Sequence, residues 1–217
     1  MNVDYSEKSY DEWLQFAITS TDEQHGDVEI DPVKPLVLVE YFERACMSLH
    51  ELVTPYTWPE IDRFIWNALA NPFWIGRIVT DPILPVSPRM SCIDSMYFPY
   101  KQVLELMPES DVEEDGFYMW WDIVCGGSCS HHGYFDNVPF VPNSAESCTV
   151  HDKLLETLRR ILKIPSVRTQ RCALHGLGHL HHPKGAEIVQ KYIDEHKLDI
   201  DDAGIQWLLE CRDGTVM

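Results

Sequence analysis

The stretch R-C-A-L-H-G-L-G-H-L-H-H-P, residues 171–183, decides the fold class. Ala173, Leu174, Leu177 and Leu180 recur at three- and four-residue intervals, which places them on one face of a helix. Gly176 and Gly178 interrupt that pattern at a cost of roughly 1 kcal/mol each relative to alanine, so another backbone is expected to pack closely there. Upstream, Leu154, Leu155, Leu158, Ile161 and Leu162 form a facing helix, with Pro165 and Ser166 in the turn and Ser166 as the N-cap. Downstream, Ala186, Val189 and Ile193 continue the periodicity after Pro183, a residue suited to the first turn of a new helix.

The pattern Ala173-x-x-x-Leu177-Gly178-x-Leu180-x-x-Pro183, followed by Ala186 and Val189, resembles the short HEAT-like repeat of α-solenoids. The resemblance covers residues 152–197, with a weaker echo in residues 36–69. Stacked solenoids need about three or more units, so the others must be degenerate. The resemblance implies an all-α architecture of stacked antiparallel helical hairpins, a HEAT-like superhelix filling residues 32–217 as one domain. Such proteins hold macromolecules on a concave surface.

The rest of the chain reads as helix and connector. Leu36, Val39, Phe42 (or Glu43), Cys46 and Leu49 make a stripe along residues 35–53. Pro59 opens a second helix, with Ile61, Phe64, Ile65, Ala68 and Leu69 inward and Asn71-Pro72 as its stop, and the two are expected to form one hairpin. Four prolines between residues 72 and 88 predict a rigid, irregular connector, in which Phe73, Trp74, Ile75, Ile78, Ile83 and Leu84 need burial. A third hairpin follows, from residues 92–107 and 111–124. Residues 126–147 lack helical periodicity and read as a long loop, and Ile205, Leu208 and Leu209 mark a last short helix. Residues 1–31 carry nine acids against Lys8 alone and read as an acidic, partly mobile segment with one short helix anchored by Trp13, Leu14 and Phe16.

Seventeen Lys plus Arg against 35 Asp plus Glu give a formal charge of −18. That field disfavours nucleic acid and attracts a basic partner. Seven cysteines match no small secreted disulfide framework, the first residues have no apolar signal core, and no run reaches membrane-spanning length. A cytoplasmic location is therefore expected.

Two clusters carry metal-ligand chemistry. His175, His179 and His182 stand at i, i+4 and i+7 on the stretch quoted above, and two imidazoles four apart on a helix can chelate a transition metal. Gly176 occupies the position that a catalytic glutamate would hold in H-E-x-x-H. Cys125 and Cys129, with His131 and His132 beside them, form the second cluster, a single Cys-x-x-x-Cys pair where zinc ribbons have two. No G-x-S-x-G elbow, phosphate loop or dinucleotide fingerprint occurs, so enzymatic activity is not expected.

The third constellation is acidic and aromatic. Asp111, Glu113, Glu114 and Asp115 precede Trp120 and Trp121, and adjacent helical residues diverge by about 100°, so one tryptophan is expected to be partly exposed. Aromatic anchors beside one-signed charge suit protein binding. Seven bases (Lys153, Arg159, Arg160, Lys163, Arg168, Arg171 and Lys184) oppose this acidity and meet only Glu156 within their window. The function that follows is a non-enzymatic module, without cofactor, that grips a basic protein partner. In character it is similar to small acidic immunity proteins that neutralise basic toxins. The alternative is a metal-binding protein using the histidine or cysteine cluster.

Overall fold

A computed structural model of the chain describes residues 3–25, 28–29, 35–107, 116–125 and 142–216. The sequence stretch that decides the fold class forms most of helix α10, Val167–Leu180, where Ser166 Oγ accepts the Thr169 amide as its N-cap. Among the described residues eleven other α-helices and two short strands lead to and from it, those before it in the order β1 (Val3–Asp4), α1 (Tyr10–Thr19), α2 (Asp22–His25), β2 (Val28–Glu29), α3 (Pro35–Leu52), α4 (Trp58–Leu69), α5 (Ile75–Ile78), α6 (Val86–Ser95), α7 (Tyr97–Gln102), α8 (Gly116–Cys125) and α9 (Ala145–Leu162). After α10 come α11 (Gly185–His196) and α12 (Asp202–Asp213). The fold is helical, and the only strand pairing among the described residues is a two-residue parallel bridge between β1 and β2.

Helix α10 is the hub. It packs on α8 and α9, and on its other flank touches α11 and α12. Its two glycines set the two close approaches. A Cβ on Gly178 would lie 2.7 Å from Val216 and 3.2 Å from the Cα of Cys211, so the α12 backbone does approach there as expected. At Gly176 the neighbour is instead an indole: a Cβ would sit 2.7 Å from the Cβ of Trp121 and 2.8 Å from Leu158. Helix α11 begins at Gly185, two residues beyond the predicted proline start, because His181 takes a left-handed conformation (φ 49°) that turns the chain before Pro183.

The expected hairpin of residues 35–53 with 59–71 is corrected. Both helices exist, but α3 packs chiefly on α6 and α7, and α4 on α1 and α8. The reason is aromatic: Trp13 is fully buried between Phe64, Phe73 and Tyr41, which draws α1 onto α4, and Asn67 Nδ2 ties the two by donating to Ala17 O at 2.9 Å. The helix expected over residues 92–107 divides into α6 and α7, with Pro99 inside the second.

The proline-rich connector is latched by Arg89. Its side chain is 1% exposed and donates to the carbonyls of Val79 and Thr80 and to Glu146 on α9. Phe73, Ile75 and Leu84 are buried as expected, but Ile83 is exposed at the tip, where Asp81 accepts its amide. Residues 22–25, read as loop, form a helical turn held by buried His25, whose ring meets Ser20 Oγ and Asn71 Nδ2. No helix of the described residues is long and apolar enough to cross a membrane.

Candidate metal centre

Helix α8 joins the two halves of the molecule. It is apolar nearly all round, and such a helix is buried on every side. Phe117, Trp120 and Val124 are fully buried, as is Trp121 on the flank that meets Gly176. Trp120 packs on Phe42 and Tyr100, while Trp121 stacks on Tyr100 from the other side. The expectation that one tryptophan would be exposed is therefore corrected. The 100° divergence holds, but Phe42 of α3 and Tyr100 of α7 cover Trp120, and Gly176 of α10 covers Trp121. Neither Trp120 nor Trp121 is available as a surface anchor. Asp111, Glu113, Glu114 and Asp115 lie outside the described residues, as does Cys129.

The one carboxylate of α8, Asp122, faces α10. There it meets His175 and His179, whose i, i+4 spacing aligns them on one face of α10, and the three form a group of ligand atoms within 4.8 Å of one another. Asp122 Oδ1 lies 3.0 Å from His179 Nε2 and 3.4 Å from His175 Nδ1. Neither contact has the angle of a hydrogen bond, so this oxygen is buried with no donor. His175 Nδ1 is aimed instead at Tyr118 O, 3.3 Å away, and the ring stacks face to face on Tyr118 with centroids 4.0 Å apart. With that proton on Nδ1, His175 Nε2 is the lone-pair side of the ring, and in the metal-free chain it accepts a 3.2 Å hydrogen bond from His179 Nε2.

Burial sets the protonation states. It pushes Asp122 up to about 7. The same loss of water holds His175 and His179 down at about 4, helped by each one's histidine neighbours. Both rings are therefore neutral at pH 7, the form that ligates metal. An unpaired buried carboxylate is costly, and a cation placed against it removes the cost.

The other candidate ligands are elsewhere. His182 Nε2 contacts Asp152 Oδ1 at 3.1 Å, its Nδ1 accepts the Lys184 amide, and its ring leans on buried His151, whose Nε2 meets Leu180 O. These contacts fasten the turn between α10 and α11 to α9. His182 leaves the predicted stripe because the left-handed His181 ends the helix before it. Cys125 lies at the last turn of α8, fully buried, with its thiol pushed far up by loss of water. It is not part of the three-residue group.

Asp122 was legible in the sequence only as one acid among many, because nothing in its spacing links it to α10. A carboxylate alone in an apolar helix was the available signal.

A second feature lies across the molecule. Between α1 and α3 runs a cavity of about 780 Å³ with four carboxylates (Asp11, Glu40, Glu43 and Glu51) around an apolar floor that includes Leu14 and exposed Met47. Arg44 lies over the Tyr10 ring, 3.7 Å from its centroid. Three bases of the strip are engaged within the fold: Lys153 and Arg160 of α9 both pair with Asp94, and Arg168 of α10 donates to the carbonyls of Leu104 and Met107.

No protein-family model, curated protein or solved structure matches the chain.

Proposed function

We propose that the chain is a metal-binding protein whose ion is held by Asp122, His175 and His179. The observation that carries this reading is the buried Asp122 oxygen, which has two imidazole nitrogens at 3.0 and 3.4 Å and no hydrogen bond from either. A first-row ion with bonds of about 2.1 Å puts neighbouring ligand atoms roughly 3.0–3.4 Å apart, and the measured spacings of 3.0 and 3.2 Å fit that range. Tyr118 O supports the site as the outer partner that fixes the tautomer of a ligating histidine. Two imidazoles with one carboxylate suit zinc, iron(II), cobalt or nickel.

Metal analysis of untagged protein tests this. One equivalent of zinc or cobalt is expected in the native chain, none in His179→Ala, and an unchanged equivalent in His182→Ala and Cys125→Ser. A metal-free native chain that also fails to take up added zinc or cobalt would remove the proposal.

A second reading, docking of a basic partner, is supported by the acidic groove between α1 and α3 rather than by the tryptophans of α8. In this reading the stacked pairs α9–α10 and α11–α12 are HEAT-like units of a small solenoid. The partner is a basic protein, a toxin in the manner of immunity proteins. Glu40→Lys with Glu43→Lys is expected to slow association with a partner captured from the native cell, more at low salt than at high. Equal rates would take the groove out of the reading.

A further inference from the structure

The same three-residue group says what kind of metal centre it is. Structural sites for zinc are closed by four protein ligands, whereas reactive ones leave a position for water or substrate. Among the described residues only three side chains converge here. Among the described residues, three neighbouring side chains that could add a fourth are engaged elsewhere or lie outside the group. Tyr118 gives its ring face to His175, and its hydroxyl oxygen accepts from the Trp207 indole. His182 is turned to Asp152, and Cys125, one turn along α8 from Asp122, stands outside the group.

The surroundings are one-sided. His175 is sealed from solvent, while the side chains of Asp122 and His179 are 18% and 13% exposed. The solvent-facing edge of the group is thus formed by Asp122 and His179, although Asp122 Oδ1 itself is buried, and the protein closes it on the side of His175. Charge narrows the class of ligand. A dication with one carboxylate and two neutral imidazoles keeps a net positive charge, which an anion neutralises. Arg171 adds another positive charge nearby, its guanidinium 5.9 Å from the Tyr118 ring that stacks on His175.

We propose that the ion held by Asp122, His175 and His179 keeps a coordination position open, on its solvent side, for an exchangeable anionic ligand such as hydroxide or a carboxylate. This rests on the metal-binding reading and makes the centre a Lewis-acid site rather than a structural clip. Two histidines and one carboxylate with free positions are the ligand set of hydrolytic zinc and oxygen-activating iron sites.

The test uses the full chain loaded with cobalt(II), whose visible bands report coordination, and azide as the probe anion. Addition of azide is expected to shift and intensify the bands with saturation, and acetate is expected to compete with it. Cys129→Ser is expected to respond in the same way. In His179→Ala and in the isosteric Asp122→Asn, checked for native helix content by circular dichroism, the cobalt bands are expected to be absent. Cobalt bound with bands indifferent to azide overturns the open position while leaving the metal reading intact. So does an azide response that appears only in Cys129→Ser. A chain that binds no cobalt overturns the metal reading and this inference together.

Discussion

Six buried polar atoms have no hydrogen-bond partner among the described residues, and three of them are tryptophan N–H groups, whose desolvation is cheap beside that of a carboxylate. Asp122 supplies the only carboxylate oxygen in that group. Comparison with His151 shows what a satisfied buried polar residue looks like in the same molecule. That ring meets Leu180 O at 2.9 Å, packs on His182, and closes the turn after α10. Burial holds its pKa below the ordinary 6.5, so the folded chain resists a proton that the unfolded chain accepts. Stability therefore holds above pH 6.5 and is lost as the pH falls from there through the lower folded value. Chemical denaturation at pH 7.5 and 5.5 checks this: the wild type is expected to lose more stability between the two than His151→Asn, which cannot titrate. Equal losses would mean that the ring already has water and titrates normally. At this scale the sequence showed the imidazoles but not their partners. His175 and His179 follow from helical spacing, whereas Asp122 and Tyr118 O come from another helix, and a single sequence holds no record of which residues of two distant helices meet.

At the scale of elements, the helices were legible wherever an apolar stripe had clear ends. The periodicity of α10 and the Ser166 cap were read directly, as were α3, α4 and α12. What could not be read was which helix each stripe would meet. The all-round apolar face of α8 gives no preferred side, so its two tryptophans could not be placed until their partners on α3, α7 and α10 were seen. Pairing was misjudged for the same reason at α3 and α4, where proximity in sequence suggested a hairpin and the aromatic cluster around Trp13 decided otherwise. The joint between α8 and α10 is tightly specified, since the indole of Trp121 fills the space that a side chain on Gly176 would need. Gly176→Ala is expected to destabilise by about 1–3 kcal/mol through overpacking, even though alanine is the better helix former. Trp121→Leu should recover part of that loss, so the double variant is expected to be more stable than the sum of the single changes predicts. Additive losses in denaturant titrations would show that the two residues do not compete for the same space.

For the whole molecule, the proposed ion and the packing share one joint. Helix α8 packs on α10 and on α4, which meets α1, while α10 organises α9, α11 and α12. Asp122 stands on α8 and both histidines on α10, so an ion between them adds a cross-link to that packed joint. Binding to the folded chain alone stabilises it by RT ln(1 + [L]/Kd), about 2.7 kcal/mol when free metal stands at 100 times Kd. For a chain of this length about 2–4 °C accompanies each kcal/mol, which gives a rise of roughly 5–10 °C in the melting temperature. Chelation should reverse the rise, and His179→Ala should show none at any metal concentration. Asp122→Asn separates the ion from the joint. Asparagine keeps the shape of the side chain and removes a buried carboxyl that burial already pushes up to about 7. Above pH 7, where the carboxyl is ionised, the metal-free variant is therefore expected to melt at or above the metal-free wild type and to ignore added zinc. If it melts well below the wild type instead, Asp122 holds α8 to α10 through contacts of its own, and the case for an ion at that joint weakens accordingly.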